Sequence, residues 1–202
     1  MLNLLQYIVY SNIWVALCAA ALTAQTFFIL HEGDVNVTVV GFAFFATLSA
    51  YNFQRIFRRS ISDKDELSQR MQWMLKHKTW LRIMTVLSLV ATVYLAYFLL
   101  ASSWPIILGA GIISIFYSSN FTLKNGQKLN LRSIHYLKIF LIAGVWVLIT
   151  LWIPITWSGS MVPLRAALLE SFIRFCFILA VTLPFDIRDI QYDKRDQLKT
   201  LA

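Results

Sequence analysis

Runs of about twenty apolar residues recur from one end of this chain to the other, and nothing else in the sequence constrains its fold as strongly. A helix of that length spans the ~30 Å hydrocarbon core of a bilayer, since each residue adds ~1.5 Å of rise. Its backbone polar groups also satisfy one another where no water is present. Six such runs can be drawn, at roughly 8–30, 35–57, 79–101, 104–119, 136–157 and 166–185. The expected fold is therefore all-α: a multispanning transmembrane helix bundle of about six spans, forming a single domain over residues 1–202.

Composition agrees, because 58% of the 202 residues are hydrophobic and only 14% are charged, whereas soluble domains carry ~25% charge. A net charge of +8 would ordinarily raise nucleic acid as a partner, but the basic residues cluster between apolar runs, so no nucleic-acid role is expected. The first run lacks a basic leader and exceeds the length of a signal-peptide core, so it reads as a retained span. Cys18 and Cys176 each sit inside an apolar run and read as packing residues. His31, His77 and His135 fall in separate loops without metal-ligand spacing.

Orientation follows from the lysines and arginines, which are retained on the cytoplasmic side. Six alternating spans place the clusters Arg55 to Arg82, Lys124 to Lys138 and Arg188 to Lys199 on one side, together sixteen of the eighteen basic residues. The expectation is an integral, multi-pass protein of the bacterial inner membrane type, with both termini cytoplasmic. The loop after the second run contains Ser62-Asp63-Lys64-Asp65-Glu66, then Leu67, Met71, Met74 and Leu75 at helical spacing. That pattern predicts a short amphipathic helix on the membrane surface.

Three constellations carry possible chemistry. If the sixth helix continues through its acidic end, Asp186, Asp189, Asp193 and Asp196 fall within an arc of about 80°, with Arg188 and Arg195 opposite. Carboxylates so grouped favour a divalent cation or a basic partner, and Mg²⁺ held this way can carry a diphosphate. The bland alternative is a solvated helix end whose acids pair with nearby basic loops. Asn52, Arg55 and Arg59 share a face at the end of the second run, where they would either donate to phosphate oxygens or anchor the helix at the interface. Lys124 and Lys138 flank the loop after the fourth run and are open to the same two readings. Glu170 and Arg174, four apart inside the last run, are expected to neutralise each other.

At these residues the chain resembles the UbiA superfamily of intramembrane prenyltransferases. Asp189-x-x-x-Asp193 followed by Leu198-Lys199-Thr200-Leu201 is similar to that family's second aspartate-rich motif. The stretch Tyr117-Ser118 to Lys124 and the entry Leu137-Lys138 are similar to its middle region. The first motif departs: Asn52 is followed by Ile56 and Ser60, where the family carries aspartates. The resemblance covers nearly all of this chain but about two-thirds of the family's fold, so a member lacking the last third is expected. It implies Asp189 and Asp193 as catalytic Mg²⁺ ligands, with Asp186 and Asp196 supporting and Asn52, Arg55, Lys124 and Lys138 contacting substrate. The implied reaction moves an isoprenyl group from an isoprenyl diphosphate to a lipophilic acceptor within the membrane lipid. Loss of the first acidic motif leaves a second reading open, a non-catalytic membrane protein that binds lipid diphosphates or divalent cations.

Overall fold

The computed structural model describes the backbone of residues 2–30, 33–56, 69–118, 121–122, 128–129, 137–159 and 161–195. Within them, the side chains of 2–3, 30, 55–56, 71, 116–118, 121–122, 128–129, 138 and 185–195 fall outside the description. The described elements are the helices α1 (Leu2–Tyr10), α2 (Ile13–Leu30), α3 (Val37–Ile56), α4 (Gln69–Lys76), α5 (Lys78–Ser118), α6 (Leu137–Val147), α7 (Ile153–Ser158) and α8 (Leu164–Arg195). A π-helical turn, Leu148–Trp152, joins α6 to α7. A two-residue antiparallel pair, β1 (Phe121–Thr122) with β2 (Lys128–Leu129), lies between α5 and α6. The chain falls into two compact units, Met1–Ser102 and Ser103–Ala202, with the boundary inside α5.

In the first unit, α3 packs on α2. The α2 stripe Ala16, Ala19, Thr23 and Thr26 is buried at alternating spacings of three and four, and its small side chains permit close helix approach. Thr23 and Thr26 donate to the carbonyls of Ala19 and Leu22, at 2.8 and 3.1 Å, so their hydroxyls enter the interface already satisfied. Asn36 caps α3: its Oδ1 accepts from the Val39 N–H at 3.1 Å, covering a donor the first turn would leave open.

In the second unit, α6 packs on α8. Ile139, Ala143 and Val147 are buried on the α6 side, and Ala167, Arg174 and Ile178 on α8. Gly159 ends α7 at φ +62°, a left-handed position that a glycine adopts without the clash a Cβ would bring.

The outward faces are as apolar as the buried ones. On α5, Val86, Val90, Tyr94 and Tyr97 are 59–72% exposed, a stripe that water would drive into aggregation and lipid would solvate. Among the described residues, four helices are long and apolar enough to cross a membrane, and the bent pair α1 with α2 makes a fifth if it counts as one span. This all-helical architecture with membrane-length helices agrees with the expected class and differs from the expected six runs in three places.

The first run is broken. Ser11 and Asn12 separate α1 from α2 with a 68° bend, and Asn12 adopts φ +65°. A left-handed residue cannot propagate a right-handed helix, and asparagine is among the few side chains that tolerate the conformation. The third and fourth runs lie on one continuous helix: α5 carries Ser102-Ser103-Trp104 and Pro105 without interruption. Pro105 removes only its own N–H from the ladder, a loss that a long apolar helix survives. The fifth run contains the π-turn, which no count of hydrophobic residues detects. Cys18 and Cys176 are also corrected: both lie on exposed faces, so neither is a packing residue.

A short helix is present after the second run, where an amphipathic one is expected: α4 covers residues 69–76 and is joined to α5 through His77 alone. Its expected start, residues 62–68, lies outside the described residues.

Candidate functional site

The sixth-helix condition is met at the level of the backbone. Helix α8 runs from Leu164 through Pro184 to Arg195, so Asp186, Asp189 and Asp193 occupy positions i, i+3 and i+7 of one helix, within an arc of about 60°. Pro184 lies twenty residues into the helix and does not end it. The side chains of these aspartates, and all of Asp196 and Lys124, lie outside the described residues. Lys138 is the second residue of α6 and Arg55 the penultimate residue of α3, with their side chains likewise outside. Among the described residues, no group of three or more His, Cys, Asp or Glu could hold a metal ion.

Asn52 is described in full and is 2% exposed near the end of α3. Its Oδ1 accepts from Asn12 Nδ2 at 2.7 Å, forty residues away in sequence. Asn12 Oδ1 in turn accepts from an Arg70 terminal nitrogen at 2.9 Å, and the same nitrogen reaches the Val9 carbonyl at 3.3 Å. The α1–α2 break thus serves as a polar junction: it exposes the Val9 carbonyl and turns the Asn12 amide between Arg70 of α4 and Asn52 of α3. Asn52 Nδ2 is buried and makes no hydrogen bond. Leaving such a donor unsatisfied costs ~1–3 kcal/mol, so the position favours a group with a lone pair.

Aromatic rings wall this junction. Tyr7 meets Trp73, His77 and Trp80 edge-on, with centroids at 4.9, 5.1 and 5.6 Å, and His77 stacks on Trp73 at 4.3 Å. Tyr10 lies against Trp73 at 5.7 Å and carries the Arg70 guanidinium 6.0 Å from its ring centroid. Tyr and Trp settle at the membrane–water boundary, where one edge is apolar and the other wet.

The second unit holds a buried cation. Arg174 is 2% exposed and donates to Glu170 Oε1 at 3.0 Å and to the Thr150 carbonyl at 2.8 Å. The expected Glu170–Arg174 pairing is present. The remaining contact comes from the π-turn, which contains Thr150. Beside it, an open apolar groove of about 510 Å³ is lined by Phe140, Gly144, Leu148, Phe172 and Phe175, with Ile113 of α5.

Of the expected site residues, the structure joins Asn52 to Asn12 and Arg70, neither of which the motif reading singled out. The missed signal was Asn12 itself, a strongly polar residue within an apolar run. Asn52 and Arg55 belong to the first unit, and Lys138, Asp186, Asp189 and Asp193 to the second. The class these features define is that of an all-helical protein with several membrane-length apolar helices and two buried polar centres, compatible with an integral membrane protein. No protein-family model matches the chain, and neither the curated proteins nor the solved structures contain a match to it.

Proposed function

We propose that this chain is a multi-pass membrane protein that binds an isoprenyl diphosphate and transfers its prenyl group to a lipophilic acceptor. The observation that carries the reading is the continuity of α8, which leads an apolar membrane-length helix directly into Asp186, Asp189 and Asp193 on one face. Carboxylate oxygens in that set are the hard donors Mg²⁺ takes, so the residues fit the metal the resemblance implies. When bound there, Mg²⁺ supplies charge neutralisation for a departing diphosphate. Asp189 and Asp193 would hold that charge, the resemblance assigns phosphate contacts to Arg55 and Lys124, and the apolar groove of the second unit suits a prenyl chain.

Topology in this reading retains six crossings with both termini cytoplasmic. At 41 residues α5 extends about 60 Å, twice the hydrocarbon thickness. The basic clusters flanking it, 55–82 and 124–138, share a side only if it crosses twice, which requires the helix, continuous here, to open at Ser102 to Pro105 in the bilayer. Single cysteines at Ser62, Ser102 and Ser160 test this. Ser62→Cys should be labelled from the cytoplasm, and Ser102→Cys and Ser160→Cys from the opposite side. Cytoplasmic labelling at Ser160 would remove the sixth crossing.

A second reading is favoured by Asn52, whose surroundings in the first unit are amides and a guanidinium rather than aspartates: a membrane protein that binds lipid diphosphates without turnover. The two separate in reconstituted protein given an isoprenyl diphosphate, Mg²⁺ and a phenolic acceptor. Prenylated product that disappears with Asp189→Ala and Asp193→Ala but persists with Asp63→Ala supports the enzyme. Binding without product supports the second reading. Equal loss in all three variants would reduce the acidic face to a structural role.

A further inference from the structure

We infer that the Asn12–Asn52–Arg70 junction is a metal-free oxyanion site, and that Arg70, acting through Asn12, sets its polarity. The inference rests on the proposed function only for the ligand class, a phosphate group. Its polarity follows from hydrogen-bond inventory. A guanidinium has donors and no acceptor, so the Asn12 atom facing Arg70 at 2.9 Å must be its carbonyl oxygen. The Asn12 amide nitrogen then faces Asn52, and the Asn52 atom that receives it at 2.7 Å must be Oδ1. Each amide is oriented by the one before it, and the chain ends on Asn52 Nδ2, a buried donor with no acceptor.

Had the first residue of this relay been an acid, every amide would be reversed and the chain would end on an oxygen suited to a cation. It begins on a cation, so it ends on an N–H suited to an anion. Asn52 lies two residues from the end of the apolar window Val37–Gln54, the end next to the membrane–water interface in the proposed topology. The aromatic wall of Tyr7, Tyr10 and Trp73 lowers the local polarity, which strengthens a charge-assisted bond there. One phosphate oxygen seated on Asn52 Nδ2 completes the junction. The oxygen belongs either to a free diphosphate group or to a lipid headgroup.

The test uses full-length protein in nanodiscs with EDTA present. In one arm inorganic diphosphate is titrated calorimetrically; in the other, retention of phosphatidylglycerol is read by native mass spectrometry. The parent should bind in at least one arm, and the arm that responds identifies the source. Asn52→Asp keeps the acceptor for Asn12 and replaces the outward N–H with a charged oxygen, so binding should fall tenfold or more. Asn12→Asp accepts from Arg70 and from Asn52 alike, turning the Asn52 amide outward-oxygen, and should lose as much without touching the ligand. The double variant should bind no worse than either single one, because both act on the same donor, whereas independent destabilisation would add. Arg82→Ala, an exposed cation elsewhere, should bind like the parent. Should Asn12→Asp fail to fold, Asn52→Asp decides alone. No Mg²⁺-free binding by the parent in either arm, or parent-like binding by Asn52→Asp, overturns the inference. Prenyl transfer that depends on Asp189 while Asn52→Asp binds normally would sink this site and leave the proposed function standing.

Discussion

Both compact units hold a polar group that includes an arginine, fully buried in the second and half-buried in the first, and they dispose of it differently. In the second unit Arg174 finds a carboxylate four residues away on its own helix and the Thr150 carbonyl within the π-turn, so the charge is met from within the chain. In the first unit Arg70 comes from a separate short helix and reaches the interior through two amides, and the last of these still holds an unused donor. The first arrangement is self-sufficient and reads as structure. The second is unfinished, and an unfinished polar centre in an apolar protein points to a ligand more reliably than a charge that already has its partner.

Breaking the self-sufficient centre should have the largest effect. Glu170→Leu strands a guanidinium that is 2% exposed, and should cost about 3–5 kcal/mol in denaturant unfolding of the reconstituted protein. The double change Glu170→Leu with Arg174→Leu should recover most of it, since an apolar pair tolerates burial. A double variant no more stable than Glu170→Leu would show that Arg174 contributes through Thr150 rather than through its charge.

Asn12→Val should come next. It forces a β-branched side chain to φ +65° and deletes both relay bonds, for a loss of about 2–3 kcal/mol by the same measurement. Parent-like stability would mean that the α1–α2 bend does not depend on Asn12. Arg55→Ala, on the same helix as Asn52 and three residues on, should weaken diphosphate binding several-fold, about 1 kcal/mol, while Arg58→Ala leaves it within twofold. Equal effects would make Arg55 an interfacial anchor only. Ser171→Ala, which removes the 3.1 Å acceptor of the Trp152 indole beside the Arg174 centre, should cost only about 0.6 kcal/mol.

Different parts of this molecule were unequally legible in its sequence. Hydrophobic runs announce helices, and those at α3, α6 and α8 fall close to where counting places them. The persistence of α8 through Pro184 and the Glu170–Arg174 pair were also readable, because helical spacing is a local rule. What escaped was local conformation within an apolar stretch. Asn12 at positive φ and the π-turn at Leu148 change no hydropathy average, yet one sits at a 68° bend and the other contains the carbonyl that meets Arg174. Nor could spacing pair Asn12 with Asn52 or Arg70, forty and fifty-eight residues away, since only the fold brings them together. The cysteines failed for a related reason: in a lipid-facing helix, apolar neighbours surround exposed and buried positions alike.

The π-turn carries one further consequence, for insertions and deletions. A π-turn is one residue more than a regular helix needs over the same path. Removing a single residue between Leu148 and Trp152 would let α6 and α7 fuse into an ordinary helix, at no cost in length or apolar character. Because the π-turn absorbs its extra residue, the helix beyond the deletion would keep its face, and Thr156 would stay opposite Ser103, whose hydroxyl it meets at 2.7 Å. What changes is the turn itself, from which the Thr150 carbonyl meets Arg174 at 2.8 Å. A one-residue deletion here would be invisible to any hydropathy plot and should weaken the Arg174 centre alone. At the exposed Met161, beyond the end of α7, the same deletion would leave that centre intact.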